Sequence, residues 1–100
     1  MDLNRELRSA IGTGNVQLGT SQCREAVATG KAKLVLLARN CPTAVVEEIE
    51  RGEVPIYHFD GTNSDLGVAC GKPFGISAVT ILDGGSSEIL GLARAAEGYV

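Results

Sequence analysis

Lys31-Ala-Lys-Leu-Val-Leu-Leu-Ala-Arg-Asn40 is the stretch on which the reading of this chain turns. Leu34 to Ala38 is an unbroken apolar run with no Gly or Pro inside it. A run this short is too brief for a lone helix and suits a strand covered on both faces. It stops at Arg39-Asn40, and Cys41-Pro42 follows. Proline is favoured at the first helical position, where its missing N–H has no partner to lose, so a helix is expected to start at Pro42. The strand therefore delivers Asn40, with donors and an acceptor on one side chain, to its carboxyl end. Ligands of open α/β sheets bind at that end, which makes Asn40 the first candidate contact.

The flanking sequence alternates in kind. Leu3, Leu7, Ala10 and Ile11 fall at helical spacing behind Asp2, a plausible cap, and Gly12 and Gly14 are expected to end that helix. Val16 to Leu18 reads as a short strand. Thr20 or Ser21 is placed to cap a helix that runs to Thr29, with Cys23, Ala26 and Val27 inward and Gly30 as its stop. Beyond Pro42, Val45, Val46 and Ile49 share one helical face, closed by Gly52. Pro55 to Phe59 reads as a strand with Tyr57 and Phe59 on one side and Ile56 and His58 on the other. Thr62-Asn-Ser-Asp65 has the form of a capping box, ahead of Leu66, Ala69 and Cys70 and a stop at Gly71. Ile76 to Leu82 is a strand ended by Asp83-Gly-Gly85, and Ser86 to Ala96 suggests a last weak helix before a frayed Gly98-Tyr-Val100. The order α β α β α β α β predicts an α/β protein, helices layered around one small sheet whose first three strands run largely parallel.

Length and composition bound what the chain can be. One hundred residues predict a single domain over 1–100. No apolar run approaches the roughly 20 residues of a membrane span, and the first residues lack the apolar core of a signal peptide. The cytosol is the expected compartment. Cys23, Cys41 and Cys70 form no Cys-x-x-Cys pair, so they read as small core fillers; a helix start behind Cys41 is the one feature that could lower a thiol pKa. No Ser/His/Asp set, phosphate loop or paired acid–base constellation is present. Neither catalysis, cofactor nor metal is expected. The net charge of −3 argues against a nucleic-acid partner, but the charge is polarised. Gly19 to Cys41 carries four cations (Arg24, Lys31, Lys33, Arg39) and one acid, whereas Pro42 to Leu66 carries one cation and six acids.

Three loops hold unusual residues. Gly19-Thr20-Ser21 opens a helix whose first N–H groups suit a phosphate or a base edge, or it is a plain strand–helix turn. Arg39-Asn40-Cys41 presents Asn40 to a ligand, or Asn40 only caps the helix at Pro42. Gly71-Lys72-Pro73-Phe74-Gly75 places an aromatic beside a cation in a stiffened turn, where Phe74 either stacks on an unpaired base or folds back to plug the core. The first two loops leave strand ends on one rim. The third reaches that rim only if the strand after it runs antiparallel, so a mixed sheet is a requirement of the reading.

At these residues the chain resembles a known family. Val16-Gln-Leu-Gly19, Ala32 to Asn40, Val54 to Gly67, Gly71-Lys-Pro-Phe74, the Ser77 to Leu82 strand and Ser86 to Leu90 together resemble the archaeal/eukaryotic-type large-subunit ribosomal proteins of the L-thirty-e family, in the kink-turn RNA-binding superfamily. The resemblance implies a three-layer αβα sandwich around a four-stranded mixed sheet. It implies a structural constituent of the large ribosomal subunit that grips a sharply bent internal loop of rRNA. Its partners would be that rRNA and neighbouring ribosomal proteins, with no membrane and no small-molecule substrate. Carried over by motif, Gly19 would let its backbone approach tandem G·A pairs and Asn40 would bond base edges. Phe74, with Lys72, Pro73 and Gly71, would wall a splayed-out nucleotide. Asn63 matches a further family Asn, and Thr20, Ser21, Arg24 and Arg39 complete the expected contact set. Ser21 stands where some members carry Lys, and the segment from Pro42 to Pro55 is shorter than the family's. A kink-turn binder of another ribonucleoprotein, or a protein-interaction module of the same fold, is the alternative.

Overall fold

In a computed structural model that describes residues 2–96, the run Leu34–Leu37 is a strand with every residue buried. The elements along the chain are α1 (Leu3–Thr13), β1 (Asn15–Leu18), α2 (Thr20–Ala28), β2 (Leu34–Leu37), α3 (Thr43–Glu50), β3 (Ile56–His58), α4 (Asn63–Ala69), β4 (Ala78–Asp83) and α5 (Gly91–Ala96). The sheet order is β1-β4-β2-β3. β2 and β3 are parallel, and β4 runs antiparallel to both β1 and β2. The sheet is therefore mixed, as the rim requires, with the last strand inserted between the first two.

The double burial of β2 follows from side-chain alternation. Leu34, Leu36 and Ala38 join Val79 and Ile81 of β4 in a core shared with Leu7 and Ala10 of α1 and Leu66 and Ala69 of α4. Val35 and Leu37 turn to the other side, where they meet Cys23 of α2, Val45 and Ile49 of α3, and Ala78. Tyr57 of β3 and Phe59 just after it pack on the first core and Ile56 on the second, while His58 is exposed. Two helical layers thus cover one sheet, an αβα sandwich.

The helix ends differ from the sequence reading in instructive ways. Asp2 caps α1 by accepting from the Arg5 N–H, but the helix continues through Gly12 to Thr13, with Gly14 as its C-cap. Neither Thr20 nor Ser21 caps α2; the cap is Gly19, with no side-chain bond to the helix. Pro42 sits one residue before α3, in extended geometry, and Asn40 does not cap that helix. α4 has the full capping box: Thr62 accepts from the Asp65 N–H, and the Asp65 carboxylate accepts from the Thr62 N–H. The stretch from Ser86 to Leu90 is not helical, and α5 begins only at Gly91. Glu6 of α1 is the reason. Its carboxylate accepts from the Ser87 hydroxyl at 2.9 Å and the Glu88 N–H at 2.8 Å, so this backbone is held by α1 and not by a turn of its own. Those bonds also hold the Glu6 carboxyl below its ordinary pKa. Gly98-Tyr-Val100 lies outside the described residues.

Candidate nucleic-acid interface

The carboxyl ends of β1, β2 and β3 and the amino end of β4 meet along one rim. Hydrogen bonds extend the ladder into the loops there: Gly19 N–H donates to Ala78 at 2.9 Å, Ala38 N–H to Ser77 at 2.9 Å, and Phe59 N–H to Leu37 at 2.9 Å. The loops after three strands and the loop before the fourth are thus fixed to one another by backbone.

Gly19 makes the first turn possible. Its φ of 108° with ψ of 160° lies in a region that side chains rarely tolerate. With no side chain there, the opening N–H groups of α2 have no capping oxygen, and helix starts in that condition attract anions. Thr20 is half-buried and Ser21 exposed beside it.

Asn40 and Asn63 form the centre of the rim. The Asn40 side-chain oxygen accepts from the Asn63 backbone N–H at 2.7 Å, and its Nδ2 donates to Asn63 Oδ1 at 3.2 Å. The pair ties the end of β2 to the start of α4. An asparagine amide has two N–H donors and two acceptor lone pairs. After both bonds, Asn40 keeps one donor and one lone pair, on an exposed side chain. That is the pattern a base edge needs. Asn63 is in turn held against the third loop: its carbonyl accepts from the Ile76 N–H at 2.9 Å, and its Nδ2 lies 3.3 Å from the position a Gly75 Cβ would take.

The third loop is seated by close backbone contact. Gly67 of α4 faces the Phe74 carbonyl so tightly that a Cβ would collide with it. The Lys72 N–H donates to Gly67 at 2.9 Å and the Gly71 N–H to Val68 at 2.9 Å, which satisfies the last carbonyls of α4. Phe74 does not plug the core. It is 56% exposed and, with Gly75, Ile76 and Ser77, faces Leu18, Gly19 and Thr20 across a cleft of about 230 Å³. Lys72 and Pro73 flank it. Gly19, Asn40, Asn63 and Phe74 are therefore brought together, and Gly71 lies at the base of the same loop.

The charged candidates divide. Arg39 is exposed beside Asn40, its N–H bonded to Gly61 at 2.7 Å, and its charge helps to hold the Asp65 carboxyl below its ordinary pKa, after the Thr62 bonds. Arg24 stands apart on the outer side of α2, paired with Glu48 of α3 at 3.3 Å. Cys41 is buried, and desolvation pushes its thiol pKa up, against the lowering that a helix start behind it could give; Arg24 opposes the rise. Among the described residues no group of three or more His, Cys, Asp or Glu is placed to hold a metal ion, and no helix is long and apolar enough to cross a membrane.

Sequence reasoning named Asn63 without a role. Nothing local signals one, because its partner is 23 residues away. The capping box is the only hint, since it fixes Asn63 at the first helical position.

Comparison with known proteins gives the family. Residues 1–91 match the model of the ribosomal protein L7Ae/L30e/S12e/Gadd45 family. Large ribosomal subunit protein eL30 of Methanothrix thermoacetophila is 41% identical over 98 residues, which covers 98% of this chain and 95% of that one. Its counterpart in Methanosphaerula palustris is 42% identical over 95% of this chain and 100% of its own length. That of Methanococcus vannielii is 44% identical over 92% and 91%. Matches of this extent span the whole sandwich and every loop of the rim, so the chain belongs to the ribosomal protein L7Ae/L30e/S12e/Gadd45 family.

Proposed function

We propose that this chain is a structural, non-enzymatic constituent of the large ribosomal subunit, cytoplasmic within the ribosome, and that its rim binds a kink-turn in rRNA. The relatives named above are all large-subunit proteins, which supports the first part. The second part rests on one observation: the reciprocal Asn40–Asn63 pair, flanked by the bare helix start at Gly19 and the exposed Phe74.

The chemistry divides by contact. Asn40 offers its spare donor and lone pair to base edges, while Asn63 fixes its orientation. The N–H groups from Gly19 to Ser21 approach sugar–phosphate or a purine edge. Phe74, stiffened by Pro73, receives the face of an unpaired base, and Lys72 and Arg39 supply counter-charge. A straight A-form helix hides its base edges in a deep groove; a bent internal loop with splayed bases exposes them. With a net charge of −3, the chain has little general attraction for phosphate, so shape and edges must carry recognition. Neighbouring ribosomal proteins complete the partners.

The test is to express the tagged chain in an archaeal host, isolate large subunits, and sequence the RNA crosslinked to it. Recovery of one internal-loop segment of large-subunit rRNA is expected. Crosslinks scattered over many RNAs, or none, would overturn the proposal.

A further inference from the structure

The two large apolar side chains most exposed among the described residues are Val68, at 64%, and Phe74, at 56%. They are not scattered. Both line one groove of about 270 Å³, with Ser64, Lys72, Pro73 and Gly75, and none of these lining residues is acidic. The groove lies on the α4 side of the Phe74 loop, away from the cleft that faces Gly19.

A cation outside the rim set stands at its margin. Arg8 of α1 reaches across to α4, where Nη2 donates to the Val68 carbonyl at 3.1 Å. Its Nε passes 3.3 Å from where a Gly71 Cβ would lie. Lys72 belongs to the same helix end, its N–H bonded to the Gly67 carbonyl at 2.9 Å. A guanidinium has five N–H donors. One is committed to Val68, and the residue is exposed. Its position at the carboxyl end of α4 also offsets the negative end of that helix, which would otherwise repel an approaching phosphate.

We propose that the RNA interface continues off the rim onto α1: a second unpaired nucleotide, next to the one that meets Phe74, lies in the Val68–Phe74 groove with its phosphate on Arg8 and Lys72. The inference rests on the RNA-binding reading above. Continuity with the Phe74 loop and the matching charge select this occupant. An apolar seat between two cations suits a base with its phosphate, and an acid-free lining does not repel it.

The experiment measures the affinity of the full chain for a synthetic RNA duplex interrupted by a bulge and tandem G·A pairs, over a range of salt. Arg8→Gln is expected to lower the slope of log K against log salt by about 0.8, as for one lost phosphate contact. At 0.1 M salt that is about a sixfold loss of affinity. Arg8→Lys should keep the wild-type slope, because the charge remains. If Arg8→Gln keeps the wild-type slope, or Arg8→Lys loses as much slope as Arg8→Gln, the phosphate contact is refuted and Arg8 only braces α4. Val68→Glu changes an exposed side chain and leaves the core intact. It should weaken binding at least tenfold, and unchanged affinity would empty the groove. Wild-type chain that binds this RNA no better than an uninterrupted duplex would instead overturn the RNA-binding reading itself, and this inference with it.

Discussion

Replacing Asn40 by Ala removes two bonds of different worth. On the protein side, the Asn63 N–H loses its acceptor at 2.7 Å and the Asn63 side chain loses its donor at 3.2 Å. Asn40 is exposed, so water reaches the freed groups. The Thr62–Asp65 box still holds the start of α4. The stability cost is therefore at the low end of a lost helix-start acceptor, about 0.5–1 kcal/mol. On the RNA side, the spare donor and lone pair of Asn40 disappear together, which should cost about 1–3 kcal/mol, or about 5- to 150-fold in affinity. Asn40→Asp separates the two effects. The carboxylate still accepts from the Asn63 N–H, and the Asn63 amide can turn over to donate its Nδ2 to the other oxygen, so urea unfolding should stay near wild type. It has no donor and carries a charge that repels phosphate, so binding should fall at least as far as in Asn40→Ala. Filter-binding titration against the bulged duplex reads the affinity. Affinity within about twofold of wild type for both variants would refute the assignment of Asn40 to the interface.

The remaining predictions concern the scaffold that presents this residue. Gly19→Ala forces a side chain into φ 108°, and should lower unfolding free energy by about 1–3 kcal/mol in urea titration; an unchanged midpoint would show that the turn relaxes freely. Thr80 is fully buried, and its hydroxyl has no oxygen or nitrogen partner. Thr80→Val keeps the shape and should raise stability by about 1 kcal/mol in urea titration; a variant less stable than wild type would refute this and show that the hydroxyl bonds the Cys23 thiol. Glu6 titrates below its ordinary value because the Glu88 N–H and Ser87 hydroxyl bond the ionised form. In acid the unfolded chain therefore takes up this proton first, and the stabilisation is present above the ordinary Glu range near pH 4.3 and lost below it. Wild type should exceed Glu6→Gln in thermal midpoint at pH 6 and converge with it as pH falls toward 3; a constant gap would exclude the carboxylate as the cause.

What could be read in advance, and what could not, has a physical pattern. Leu34 to Ala38 and the Thr62–Asp65 box were legible because burial period and capping chemistry are local. The antiparallel β4 was reached by requiring Phe74 to share a rim with Asn40, and the pairing of Leu37 with Ala78 agrees. The larger misreadings involve partners distant in sequence. Gly19 caps α2 because its backbone is tied to Ala78, a contact that favours a bare turn over the Thr20 or Ser21 side chain. Ser86 to Leu90 fails to form a helix because Glu6, some eighty residues earlier, takes the Ser87 hydroxyl and the Glu88 N–H. Arg8 carries no local signal of a role, because its bond to the Val68 carbonyl depends on α1 and α4 packing side by side.

The central question is whether the rim reads bent RNA. The direct measurement is competition between the bulged duplex with tandem G·A pairs and an uninterrupted duplex of the same composition, for the same wild-type chain. One base-edge contact from Asn40 and one stacked base on Phe74, at about 1–3 kcal/mol each, predict at least about thirtyfold preference for the bulged RNA. Equal affinities would contradict the account.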